Sequence, residues 1–235
     1  MATLNQIAYD LLTIVRPHLS DDSDIEISQI KYWINNQRAL WIRNEVNKKR
    51  AVDNDLIQTI CAELEEVSAS DCCEDIKCDT VMRMKKELPP TIELHMKEAI
   101  FRVAGINKLK KPFSYVDYNR IPWVGNGKFN HQNVYAFLHD KRIHIFSPQN
   151  KEYTFLDKVS IRAVFENPED AALFNECSDT PCYTDDMEYP LKTWMLPALK
   201  EAILKSNLMI QAQAEATADT TNNSDSDLDL NVKSK

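Results

Sequence analysis

The sequence predicts an α+β fold: an amino-terminal helical hairpin, a central antiparallel β-rich domain and a long carboxy-terminal helix. Two patterns and a break lead there. Apolar residues recur every three to four positions before residue 50 and again after residue 190. Between Thr91 and Phe165, β-branched and aromatic residues alternate in short runs. Pro89-Pro90 interrupts any helix that approaches from the amino-terminal side. The expected divisions are 1–55 for the hairpin, 56–166 for the β-rich domain, 167–218 for carboxy-terminal helices and 219–235 for a disordered tail.

Each element has a local reason. Thr3 is placed to cap a helix whose apolar stripe is Ile7, Leu11, Ile14 and Val15, and Pro17 closes it. After the acidic loop 20–24, a second helix is expected from about Ser28 to Arg50, with Ile27, Ile30, Ile34, Trp41 and Ile42 near one stripe. Lys48, Lys49 and Arg50 suit the negative end of its dipole. Residues 55–60 and 62–67 hold two short apolar alternations that suit strand as well as helix. Val134–Leu138 and Arg142–Phe146 read as strands joined by the turn His139-Asp140-Lys141, and Lys158–Phe165 as a third. Pro168 opens a short helix with Glu169 and Asp170 in its first turn. A long helix is then expected from Leu191 to Ala218, with Pro197 tolerated only in its first turns. The Asp-, Asn-, Ser- and Thr-rich remainder reads as a mobile tail.

Composition excludes several functions. The 235 residues carry 28 basic and 36 acidic side chains, a net charge of 28 − 36 = −8. Bulk binding to nucleic acid needs the opposite balance. No apolar run reaches the ~18–20 residues that span a bilayer. The first residues lack a basic and then continuously apolar stretch, so no secretory signal is expected. With only Gly105, Gly125 and Gly127, the chain has no glycine-rich phosphate loop, and the motifs of serine hydrolases and zinc proteases are absent.

The remaining candidates each have a plain structural reading. Cys73-x4-Cys78 and Cys177-x4-Cys182 could form two halves of a zinc site, although about a hundred residues lie between the pairs. Disulfides are the other alternative, and reduced thiols are the default for a chain with no signal for export. His131, His139 and His144 surround the expected hairpin, but a continuous strand would put His139 and His144 on opposite faces. Arg43, Lys48, Lys49 and Arg50 against Glu45 give residues 41–50 a net +3, while residues 53–93 hold eleven acids and four bases, a net −7. Solvated faces explain both. The sharper alternative is a basic edge that meets a neighbour's acidic edge in a ring; contact of the basic stretch with DNA is the weaker one, given the net negative charge. Pro112–Trp123 is aromatic-rich, and the differing parity of Tyr115 and Tyr118 favours packing over a base-stacking platform. No catalytic, cofactor-binding or metal-ligating residue is assigned, and no cofactor is expected.

A series of segments carries a resemblance. It runs through Gln29-Ile30-Lys31, Arg38-Ala39-Leu40, Ile42-Arg43, Thr59-Ile60-Cys61, Leu64 to Val67 and Cys72-Cys73. Met82 to Pro89, Pro112-Phe113, Tyr153 to Pro168, Cys182, Tyr189-Pro190 and a closing amphipathic stretch complete it. In order and character these segments resemble a virion structural protein of crAss-like Bacteroides phages, of the head-to-tail connector (ring or tail adaptor) type. The resemblance covers roughly residues 3–210. It implies a non-enzymatic subunit of a homo-oligomeric, dodecameric ring below the portal protein, in contact with other tail or ring proteins. DNA would pass through without sequence-specific binding, no membrane would be involved, and the ring would reach the virion after assembly in the host cytoplasm. The rivals are a zinc-stabilised interaction module using Cys73, Cys78, Cys177 and Cys182, and an enzyme with an unfamiliar site using His131 or His144.

Overall fold

The computed structural model describes residues 2–16, 25–48, 52–72, 76, 78–94, 97–106, 109–127, 129–174 and 184–208. The chain divides into two compact units. One holds residues up to Arg38 together with those from Leu191 onward; the other runs from Ala39 to Pro190.

In the first unit, α1 spans Leu4–Val15. Its start is a complete capping box: the Gln6 amide donates to Thr3 Oγ1 at 3.2 Å, and the Thr3 amide donates to Gln6 Oε1 at 3.1 Å. Leu4, Ile7, Ala8, Leu11 and Val15 are buried along one face, and exposed Ile14 falls outside it. The next helix, α2, spans Ile27–Asn47, and its residues up to Arg38 belong to this unit. There it buries Ile30, Trp33, Ile34 and the whole of Arg38.

The carboxy-terminal expectation needs correction. Residues Thr193–Met195 form one 3-10 turn, and α5, Leu196–Ile203, is an eight-residue helix. Leu204–Leu208 then winds as a π turn, and the expected continuation to Ala218 lies outside the described residues. Pro197 has no amide hydrogen and takes a first-turn position, which sets the start of the α-helix at Leu196. The π turn breaks the i+4 register directly after Ile203. Lys200 of α5 pairs with Asp10 of α1 at 2.7 Å.

The second unit is built on one seven-stranded sheet, with a single helical turn, α3 (Ala69–Cys72), directly after its first strand. Its strands are β1 (Gln58–Ser68), β2 (Thr80–Met84), β5 (Ile100–Gly105), β6 (Ser114–Tyr115), β7 (Tyr135–His139), β8 (Arg142–Phe146) and β9 (Lys158–Ala163). The order is β5-β9-β1-β2-β8-β7-β6, and β3 (Glu93–Leu94) with β4 (Lys97–Glu98) forms a separate pair. The fold is therefore a β-rich, barrel-like sheet with few helices, which corrects the α+β class built around a long carboxy-terminal helix.

Strand β1 makes the corner. Gln58 to Glu63 pair with β9, whereas Leu64 to Ser68 pair with β2. The two alternating runs at 55–60 and 62–67 are thus largely one strand serving two halves of the sheet. At the other side, the Phe113 amide, just before β6, donates to the Val103 carbonyl of β5 at 2.7 Å. That bond brings the two ends of the strand order together and nearly closes the sheet, which removes most of its exposed edge.

Alternation does the rest. Ile60, Ala62 and Leu64 of β1, Met82 and Met84 of β2, Ala136 of β7, Ile143 and Ile145 of β8, and Val159 and Ile161 of β9 form the interior core. Phe165 and Ala171 join them, and α4, Pro168–Leu173, begins with Pro168 in its first turn and Glu169 and Asp170 behind it. The β7–β8 turn is a two-residue loop, with His139 opposite Arg142 and both Asp140 and Lys141 at positive φ, 47° and 58°. That is the type I′ geometry that matches strand twist.

Candidate functional site

The outer face of the β1–β2–β8–β7 half carries a second layer. Val81, Tyr135, Phe137 and Phe146 point outward here, and Ala69, Ile76 and Ile121 cover them. Ile121 belongs to a 3-10 segment, Tyr118–Trp123, that lies over this layer. An aromatic ladder runs along its border. Tyr118 stacks on His139 with centroids 4.4 Å apart, and Phe137 stacks on His144 at 5.1 Å. His139 and His144 are 5.9 Å apart and share a face, because a hairpin places Phe137, not His139, opposite His144. The sequence expectation of opposite faces held only for a strand without a turn.

His144 is 2% exposed, and its Nδ1–H donates to the Arg142 carbonyl at 3.0 Å. Burial pulls its pKa down to about 4, with His139 and Arg83 adding to the effect and the Arg142 carbonyl opposing it. The imidazole is neutral at pH 7. Beyond it the face becomes ionic: Arg83 Nε donates to Glu65 at 2.9 Å, and Arg142 lies 3.9 Å from the same carboxylate. Glu63 pairs with Lys85 at 2.9 Å and Lys158 at 3.5 Å, and these two cations hold its carboxyl below the usual range. Part of the acidic stretch 53–93 is thus neutralised by cross-strand partners. In the basic stretch, Lys48 pairs with Glu45 at 3.2 Å, and Lys49 and Arg50 lie outside the described residues.

The loop that follows the 3-10 segment is pinned from below and apolar above. Tyr135 Oη donates to the Asn130 carbonyl at 2.8 Å, Ser147 Oγ to the Asn133 carbonyl at 2.8 Å, and Asn126 Nδ2 to the Pro122 carbonyl at 3.3 Å. Gly125 turns the chain at φ +78°, and a Cβ there would sit 2.3 Å from Pro148 Cγ, so only glycine fits. From this base Trp123 and Phe129 stand in solvent, 79% and 87% exposed. The aromatic stretch thus has two destinations: Phe113 and Ile121 enter cores, and Trp123 does not. Burial of Trp123 against a partner is the chemistry this loop offers.

Of the other sequence candidates, Cys78 and His131 fall among the described residues. Cys78 is a free thiol whose Sγ donates to the Ser147 carbonyl at 3.2 Å, and burial pushes its pKa up, away from metal-binding thiolate. Cys73, Cys177 and Cys182 lie outside the described residues. Cys61 in β1 is disulfide-bonded, against the reduced-thiol default. Among the described residues no group of three or more His, Cys, Asp or Glu side chains is arranged to hold a metal. His131 sits in the loop at 129–132, apart from the described concavities. One concavity, of about 300 Å³, is lined by Glu93, Glu98, Asp117, Tyr115 and Tyr118. Another, of about 460 Å³, lies on the outer face of β5 and β9 and is lined by Arg102, Lys110 and Arg162. No described helix is long and apolar enough to cross a membrane.

Comparison with known proteins gives a consistent result. A family model described as phage tail ring protein 2 matches residues 6–228. Ring protein 2 of Bacteroides phage crAss001 is 26% identical over 209 residues, covering 86% of this chain and 89% of that protein.

Proposed function

Because this chain belongs to the phage tail ring protein 2 family of crAss-like phages, we propose that it is a non-enzymatic virion subunit whose copies close into a ring below the portal. In this reading the ring extends the DNA channel and docks further tail components. Its subunits reach the virion after assembly in the host cytoplasm. A dodecamer is the proposed stoichiometry.

The observation that carries the reading is the pinned aromatic loop. A monomer gains nothing from holding the Trp123 indole in water. A ring subunit gains an anchor, since buried aromatics dominate the energetics of protein interfaces. The head-to-tail contacts of a ring are heterologous, so the surface that receives the loop is a different one on the neighbour. A net charge of −8 suits a channel through which DNA passes without adhering.

Native mass spectrometry of the purified chain, alone and mixed with the portal and tail proteins of the same phage, tests this. A closed oligomer, or one formed only on the portal, supports the ring. A chain that stays monomeric in every mixture refutes it.

A further inference from the structure

The outer face of β5 and β9 holds three cations with no described carboxylate in ion-pair reach. Arg102 of β5 lies directly opposite Arg162 of β9 in the antiparallel register. Like charges placed in this way destabilise a sheet, so the fold carries a local conflict that an anionic ligand would relieve. Arg102 Nη2 donates to the Lys110 carbonyl at 3.1 Å, which draws the Lys110 segment against the same groove. Among the described residues, the side-chain partner of Arg162 is the neutral Asn54 Oδ1, at 3.4 Å. Ala104, Gly105 and Ser160 leave the floor free of bulky side chains. The space, about 460 Å³, suits a short extended peptide and is too small for a nucleic-acid duplex.

The chain itself contains a matching segment. Asp225, Asp227 and Asp229 alternate with Ser226, Leu228 and Leu230. In an extended conformation this pattern sets three carboxylates on one face, spread over about 13 Å, and apolar groups on the other. Leu208 and Asp225 are 225 − 208 = 17 residues apart, which allows a reach of up to ~60 Å, enough to cross to an adjacent subunit.

We propose that the basic groove formed by Arg102, Lys110 and Arg162 receives the acidic segment 225–229 from the carboxy terminus of a neighbouring copy. Resting on the ring reading, this names one of the contacts that would hold the ring together. It adds a charge clasp to the aromatic anchor, and the clasp is sensitive to salt.

The test uses the full-length chain in three forms: R102E/R162E, D225K/D227K/D229K, and the two sets combined. Sedimentation at low salt measures self-association, and thermal melts establish that each form folds; R102A/R162A serves if the reversal does not. Each single set is expected to weaken association about tenfold, and the combination to restore most of the loss. Carbodiimide cross-linking of a mixture of light and heavy isotope-labelled chains is expected to join Lys110 to Asp225, Asp227 or Asp229 in mixed-isotope pairs. Association that ignores the aspartate reversal overturns the proposal, as do cross-links confined to single-isotope pairs. Loss of nucleic-acid retention by the groove variant alone, with the aspartate variant unchanged, overturns it in favour of a phosphate ligand. Wild-type chains that form rings untouched by any reversal refute the clasp and leave the ring standing. Wild-type chains that never associate refute both.

Discussion

Lowering the pH should unlock the outer layer of the sheet through one imidazole. His144 is buried between Phe137, His139 and the Arg83–Glu65 pair, and its pKa is held near 4 against an ordinary 6.5. Between those two values the unfolded chain binds the proton and the folded chain does not. The contribution is therefore fully present above pH ~6.5 and is lost progressively as pH falls towards 4. At about 1.4 kcal/mol per pH unit the loss approaches ~3 kcal/mol. Urea denaturation at a series of pH values, on wild type and on His144→Phe, isolates this share from that of the carboxylates. The variant keeps an aromatic partner for Phe137 and loses about 1 kcal/mol at pH 7.5 through the missing bond to the Arg142 carbonyl. Its stability relative to wild type should then improve by roughly 3 kcal/mol between pH 7 and pH 4. Parallel pH profiles would refute the assignment of the titration to His144.

Three further outcomes follow from single positions. Gly125→Ala should destabilise by at least ~1–2 kcal/mol in chemical denaturation, because φ is +78° and Pro148 occupies the space; Gly127→Ala, with only Asn130 Nδ2 at 3.8 Å, should be nearly neutral. Lys141→Gly should stabilise by about 0.5–1 kcal/mol, since φ is +58° at a type I′ turn position that favours glycine. Trp123→Ala should leave the thermal midpoint unchanged and weaken subunit association by about 4 kcal/mol, from ~150 Å² of apolar surface at about 25 cal/mol/Å². Native mass spectrometry reads the association, and unchanged oligomers would remove Trp123 from the interface.

The helices and strands that were legible in the sequence are those with a local cause. Thr3 marks a helix start, and the alternation around His139-Asp140-Lys141 marks a hairpin, because capping and turn chemistry act within a few residues. The long carboxy-terminal helix failed because apolar periodicity from Trp194 to Ile210 says nothing of where Pro197 sets the start or a π turn breaks the register. The corner in β1 was equally hidden: both halves of Gln58–Ser68 alternate alike, and only pairing with β9 and then β2 separates them. Of the candidate sites, the aromatic stretch was visible as composition, yet its split between Ile121 inside and Trp123 outside depends on which sheet face it covers. The Arg102–Arg162 opposition could not be read at all, since the two are sixty positions (162 − 102) apart and strand register alone joins them.

The most direct measurement is a localised cryo-EM reconstruction of the tail axis in intact virions of the phage that carries this chain. A closed ring of this barrel-like unit around the DNA channel, directly below the portal, with the Trp123 loop buried against a neighbour, is the expected result. Density for the chain away from the axis, or a ring in which Trp123 faces solvent on every copy, would contradict it.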